Sequence, residues 1–182
     1  MHIWKIINVE KNYGITRIVI LSILSFIITF SLSYSIISLN KQTPYTDQYF
    51  LLFVVSIFLL YPLHKFFHYL FLIDYRKHMR FKIKFSVLYY PILTLKISKL
   101  VPKYRYILSL LAPFLFLNAF LLFCAIYFSA FSHYFCLLFG LNCLICLIDL
   151  LNVNGMIRAP HQAYIEETPK GFEVLVPIYS KD

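Results

Sequence analysis

Four long apolar runs, separated by polar stretches of very different length, organise this chain. Residues 18–39 are an uncharged run, long enough to cross a hydrocarbon core about 30 Å thick. Residues 49–73 form a second run, interrupted by His64, Lys65 and His68. Residues 106–132 form a third, with Pro113 and Asn118 inside it. Residues 134–153 form a fourth, which carries Asp149. The expected fold class is all-α integral membrane, with four transmembrane helices and short cytoplasmic β-hairpin elements. The first run is too long for a signal-peptide core and has no small-x-small cleavage site, so it reads as an anchor. The link around Ser132 and His133 is so short that the third and fourth spans should be antiparallel neighbours.

The polar stretches have their own pattern. Residues 1–17 are a mildly basic start. Within the basic segment 74–105, residues 82–87 and 94–98 alternate polar and apolar on either side of Tyr89-Tyr90-Pro91, which predicts two short strands. In the tail, 154–182, residues 163–166 and 172–176 flank Thr168-Pro169-Lys170-Gly171, the signature of a hairpin turn. The domain division is thus 1–17, a membrane domain at 18–153, and the tail.

Composition agrees with a membrane protein. The chain is 60% hydrophobic and 14% charged, where a soluble domain carries about a quarter charged residues. A net charge of +9 would suggest nucleic acid in a soluble protein; here its distribution argues for topology, and no nucleic-acid partner is expected. Three Lys and Arg precede the first run, nine lie in 74–105 and three follow Asn152, whereas the 40–48 loop has Lys41 alone. The positive-inside bias puts both termini and the basic loop in the cytoplasm, where the loop's lysines can meet anionic lipid head groups. Cys124, Cys136, Cys143 and Cys146 all sit in apolar surroundings and read as reduced, buried small residues.

The ionisable groups inside the spans are the candidate chemistry, because such groups are costly in a bilayer and mark sites. His64 and His68 are one helical turn apart on one face, a spacing that lets two imidazoles hold one metal ion. Asp149 is the carboxylate available to join them. On ideal helices His64 lies about 21 Å and Asp149 about 22 Å from the outer ends of their spans, so the depths agree. Asn142, Cys146 and Asp149 form a polar stripe on the fourth span, and Asn118 and Asn142 are expected as supporting partners of the ligands. Two histidines, a carboxylate and an open position make a catalytic zinc arrangement. Hydrolysis also needs a base, normally a Glu directly after the first His; here that position is Lys65. A second reading stays open, in which Lys65 and Asp149 form a buried ion pair and no metal is bound. His2, His78, His133 and His161 read as loop or interface residues.

The order of motifs carries a resemblance. Pro62-Leu63-His64-Lys65-Phe66-Phe67-His68 ends a span, and a basic stretch with strand character follows. Next come Lys103-Tyr104-Arg105-Tyr106-Ile107-Leu108-Ser109-Leu110-Leu111-Ala112-Pro113-Phe114, the buried Asp149, Ala159-Pro160, Ile165-Glu166-Glu167 and Gly171. From about Tyr61 to Val176 this resembles the bacterial zincin-peptidase membrane family of unknown function, related in layout to site-2-type intramembrane metalloproteases. The resemblance implies a zinc-peptidase fold in the bacterial cytoplasmic membrane, with His64 and His68 as ligands and Asp149 as the third. Two features depart from it: the Glu is absent, and Asp149 is followed by Leu150-Leu151-Asn152 rather than by an Asn-Asp-Gly type motif. The expected function is that of a catalytically inactive relative that binds or regulates a membrane-protein client. An active protease with a substitute base and a plain structural membrane protein are the alternatives.

Overall fold

In the computed structural model, apolar periodicity and breakers turn the chain into helices joined by short strands. The structure describes residues 1–39, 44–85, 91–97, 99–168 and 171–177, and of 77–97 the backbone only. Strand β1 (His2–Ile7) leads into a short helix, α1 (Val9–Tyr13). There Asn8 caps the helix by accepting a hydrogen bond from the Lys11 N–H at 3.0 Å, as N-cap side chains do. Helices α2 (Ile15–Leu39) and α3 (Phe50–Phe71) follow. After a 3₁₀ segment come β2 (Met79–Phe85), β3 (Pro91–Ile97) and the two-residue β4 (Val101–Pro102). Helix α4 (Lys103–Ala112) continues through a π-helical turn at Pro113–Leu117 into α5 (Asn118–Tyr127). Helix α6 (Ser132–Ile157) is followed by β5 (Tyr164–Thr168) and β6 (Gly171–Val176).

Among the described residues, four helical stretches are long and apolar enough to cross a membrane: Ile15–Leu39, Phe50–Phe71, Lys103–Tyr127 and Ser129–Ile157. These are the four runs read from the sequence, with ends displaced by a few residues. Helix α6 is the central element and packs against α2, α3, α4 and α5. Helix α2 lies outside, burying little beyond Ile18, Ser22 and Ser33.

The strands do more than the expected hairpins. β5 and β6 pair antiparallel as the tail pattern suggests, with Pro169 and Lys170 outside the described residues. β2 and β3 also pair, with Lys82 opposite Thr94; Ser86–Tyr90 and Ser98 lie outside the described residues. Beyond this, β1 and β4 complete a four-stranded sheet in the order β1-β6-β5-β4. The segment read as a polar start is therefore an edge strand, with Ile3 opposite Leu175 and Ile7 opposite Phe172. Its partner is remote in sequence, so no local pattern announces it.

Among the described residues, two apolar clusters hold the molecule. One joins the sheet to the ends of α4 and α6 through Ile7, Val101, Ile165, Val174, Tyr106 and Met156. Gly155 makes this closeness possible, since a Cβ there would lie 2.9 Å from Ile7 Cγ2. The other cluster is built on Leu60, Leu117, Leu121 and Leu138 from α3, the π turn, α5 and α6.

Candidate metal centre

His64 and His68 project from the last turns of α3, and Asp149 from the last third of α6. All three are buried, with 0%, 7% and 9% of their surface exposed. Their ligand atoms form a small triangle. His64 Nε2 lies 3.1 Å from Asp149 Oδ2 and 3.0 Å from His68 Nε2, and His68 Nε2 lies 3.3 Å from the same carboxylate oxygen. Bonds of about 2.0–2.1 Å, usual for zinc with these ligands, set tetrahedral ligand atoms about 3.3 Å apart. The triangle is thus close to one face of a zinc tetrahedron, and the group is of a kind that could hold a metal ion.

The surroundings decide where the ring protons sit. His68 Nδ1 lies 2.9 Å from the Ser109 carbonyl oxygen. A carbonyl can only accept, so Nδ1 carries the proton. Asn142 Nδ2 donates to the Pro113 carbonyl at 3.2 Å and to Asn118 Oδ1 at 2.8 Å. That fixes the amide orientation and turns Asn142 Oδ1 toward His64 Nδ1, 3.3 Å away. His64 Nδ1 is therefore also the protonated nitrogen of the neutral ring. Both Nε2 atoms then present lone pairs to each other and to a carboxylate oxygen. Three acceptors at 3.0–3.3 Å repel one another unless a metal ion or an added proton lies among them. This is the orientation that metal-bound imidazoles adopt, with the far nitrogen donating to a supporting group.

The chain builds those supports from a backbone irregularity. In an α-helix the N–H of residue 113 would bond the carbonyl of residue 109. Pro113 has no N–H, so the Ser109 carbonyl is left for His68. Ser109 Oγ completes the exchange by donating to the His68 carbonyl at 3.1 Å. The π turn that begins at Pro113 widens the helix and leaves the Pro113 carbonyl within reach of Asn142.

Each candidate residue named from the sequence has a place here. His64, His68 and Asp149 meet, Asn142 contacts His64, and Asn118 holds Asn142 while donating to Cys143 Sγ at 3.3 Å. The four cysteines are free and buried, and Cys146 Sγ lies 3.7 Å from His64 Nδ1. The ion pair of Lys65 with Asp149 does not form. Among the described residues, Asp149 pairs with His64 and His68, while Lys65 Nζ lies over the Tyr61 ring, 5.7 Å from its centroid. Lys65 is about 100° round the helix from His64, and its long stem follows the face of Tyr61 one turn back. His133 lies 3.4 Å from Asp47, remote from the triangle in sequence and on the opposite end of its helix. Ser109 and Pro113 carry no ionisable or metal-ligating side chain that would mark them in the sequence; the proline inside a span, with the carbonyl it frees four residues earlier, is the signal available.

A family model described as "Putative zincin peptidase" matches residues 57–164. The chain belongs to this family. The matched segment contains the two histidines, Ser109, the π turn, Asn142 and Asp149. Comparisons with curated proteins and with solved structures returned no match.

Proposed function

We propose that this zincin-family chain is a membrane-embedded metal-binding protein, with His64, His68 and Asp149 as ligands, that does not cleave peptides and instead binds or regulates a membrane-protein client. The observation that supports it most directly is the convergence of three acceptors whose ring protons are committed elsewhere. A nitrogen and oxygen ligand set suits zinc, and also other divalent transition ions. A bound ion of this kind supplies Lewis acidity at the site.

The chain's own residues argue against ordinary hydrolysis. Peptidases of this motif use the carboxylate next to the first histidine to accept a proton. Position 65 offers an ammonium, which has no lone pair, and its tip rests over Tyr61. In the membrane arrangement we propose, the sheet end of the bundle, both chain ends and the basic hairpin face the cytoplasm, following the Lys and Arg distribution. The β2–β3 hairpin then offers strand edges to an extended client.

Metal analysis of the purified protein tests the site, and Lys65→Glu tests the chemistry. About one zinc per chain, absent from the His64→Ala, His68→Ala double variant, is expected. A model transmembrane substrate should be cleaved by Lys65→Glu alone. Equal cleavage by the unaltered protein would refute the inactive reading, and a metal-free folded protein would refute the site.

A further inference from the structure

A second polar site lies at the sheet end of α6 and shares no residue with the metal triangle. A cavity of about 320 Å³ opens between β1, α1 and the last turns of α6. Its polar lining consists of Lys5, Asn12, Tyr13, Asn154 and Arg158, over a floor that includes Ile7. Two cations, two amides and a phenol converge there, and among the described residues no carboxylate lines it. Among the described residues neither Lys5 nor Arg158 enters an ion pair; Asp74 and Asp47 are engaged by Arg105 and His133.

The ordinary task for Arg158 would be to neutralise the carbonyl end of α6, where a cation is favoured. Lys103 already performs it. Its ammonium donates to the Ala159 carbonyl at 2.7 Å and to the Ile157 carbonyl at 3.4 Å. Lys5 sits on an edge strand, just past the irregularity between Ile3 and Lys5 in the pairing with β6, and has no helix end to serve. Two cations converging on one concavity without a partner repel each other, and an oxyanion between them relieves that repulsion.

We infer that this cavity binds a phosphate group. Guanidinium, ammonium and amide donors together match the several oxygens of a phosphate ester. The cavity is lined by α1, which leads directly into α2, and by the end of α6; α2 and α6 are both of membrane-spanning length. That is the level at which a lipid's phosphate would lie beside the bundle. The phosphate is carried by a lipid head group or arrives free in solution. The membrane placement bears on that source and not on the cavity.

The test uses the full chain purified in mild detergent and stripped of lipid. Native mass spectrometry measures retention of phosphatidylglycerol against phosphatidylcholine, and calorimetry measures binding of inorganic phosphate. The variants are Lys5→Gln with Arg158→Gln, and a control of equal charge change, Arg17→Gln with Arg76→Gln, both exposed and outside the cavity. Preferential retention of phosphatidylglycerol that falls about tenfold or more in the cavity variant, with the control unchanged, supports the site with a lipid source. Phosphate binding with the same variant pattern and no lipid preference supports it with a free source. Equal loss in the control, or no binding of either probe, overturns it. Should the double variant fail to fold, Lys5→Gln and Asn154→Ala decide singly, each expected to weaken binding about threefold or more.

Discussion

Helices α2 and α6 are nearly identical in mean hydropathy and opposite in role. Helix α2 buries Ile18, Ser22 and Ser33 and exposes much of the rest. Helix α6 buries twelve residues, among them Asn142, Asp149 and Asn152. Hydropathy therefore finds the spans but does not order them from outside to inside. The polar side chains do that, because the cost of placing Asn and Asp against hydrocarbon directs them inward. The kind of hydrogen bond differs too. On α2, Ser33 Oγ and Thr29 Oγ1 donate to carbonyls of their own helix, and across to α6 they meet only the thiols of Cys136 and Cys143, which are weak hydrogen-bonding groups. On α6, Asn142 reaches His64, Pro113 and Asn118 on two other membrane-length stretches, which ties three stretches into one register.

That contrast can be tested from its strongest form downward. Asp149→Leu should reduce bound zinc from about one per chain to background, measured by elemental analysis, because a carboxylate contributes both a ligand and the charge. Retained metal would break the assignment of α6 as the source of the third ligand. Asn142→Leu keeps the branched side-chain shape and releases the His64 tautomer; zinc affinity should fall about 10–100-fold in chelator competition, while Ser33→Ala on α2 leaves it unchanged. Pro113→Ala returns an N–H to the Ser109 carbonyl and competes with His68, so affinity should fall up to about tenfold with no loss of thermal stability. A fall in Tm of several degrees instead would show that the proline holds the helix and not the ligand. Finally, Ile23→Leu on the exposed face of α2 should change stability by no more than about 0.5 kcal/mol.

Much of this arrangement was legible in the sequence. His64 and His68 are set together by helical spacing, and Asp149 by depth, because a buried charge in a long apolar run has few places to go. The rejected Lys65–Asp149 pair shows where that logic stops. Depth brings the two residues level, but rotation about α3 sends the ammonium toward Tyr61. The Ser109 carbonyl was hidden for another reason. A backbone acceptor has no letter of its own, and its availability depends on a proline four positions later. Strand β1 was hidden because its partner comes from the opposite end of the chain.

That last pairing bears on how the molecule assembles. β1 leaves the ribosome before β6, its neighbour in the sheet, which emerges roughly ten to thirty seconds later at usual elongation rates of about 5–20 residues per second. Until then Ile7 lacks its neighbour Phe172, and the cavity wall it helps to build is unfinished. The helices can gather and the histidines can find Asp149 before the sheet closes, so the metal triangle should mature first and the phosphate cavity last. Closure of β1 on β6 is thus a late clasp, one that reports that every membrane-length helix between the two strands has been made.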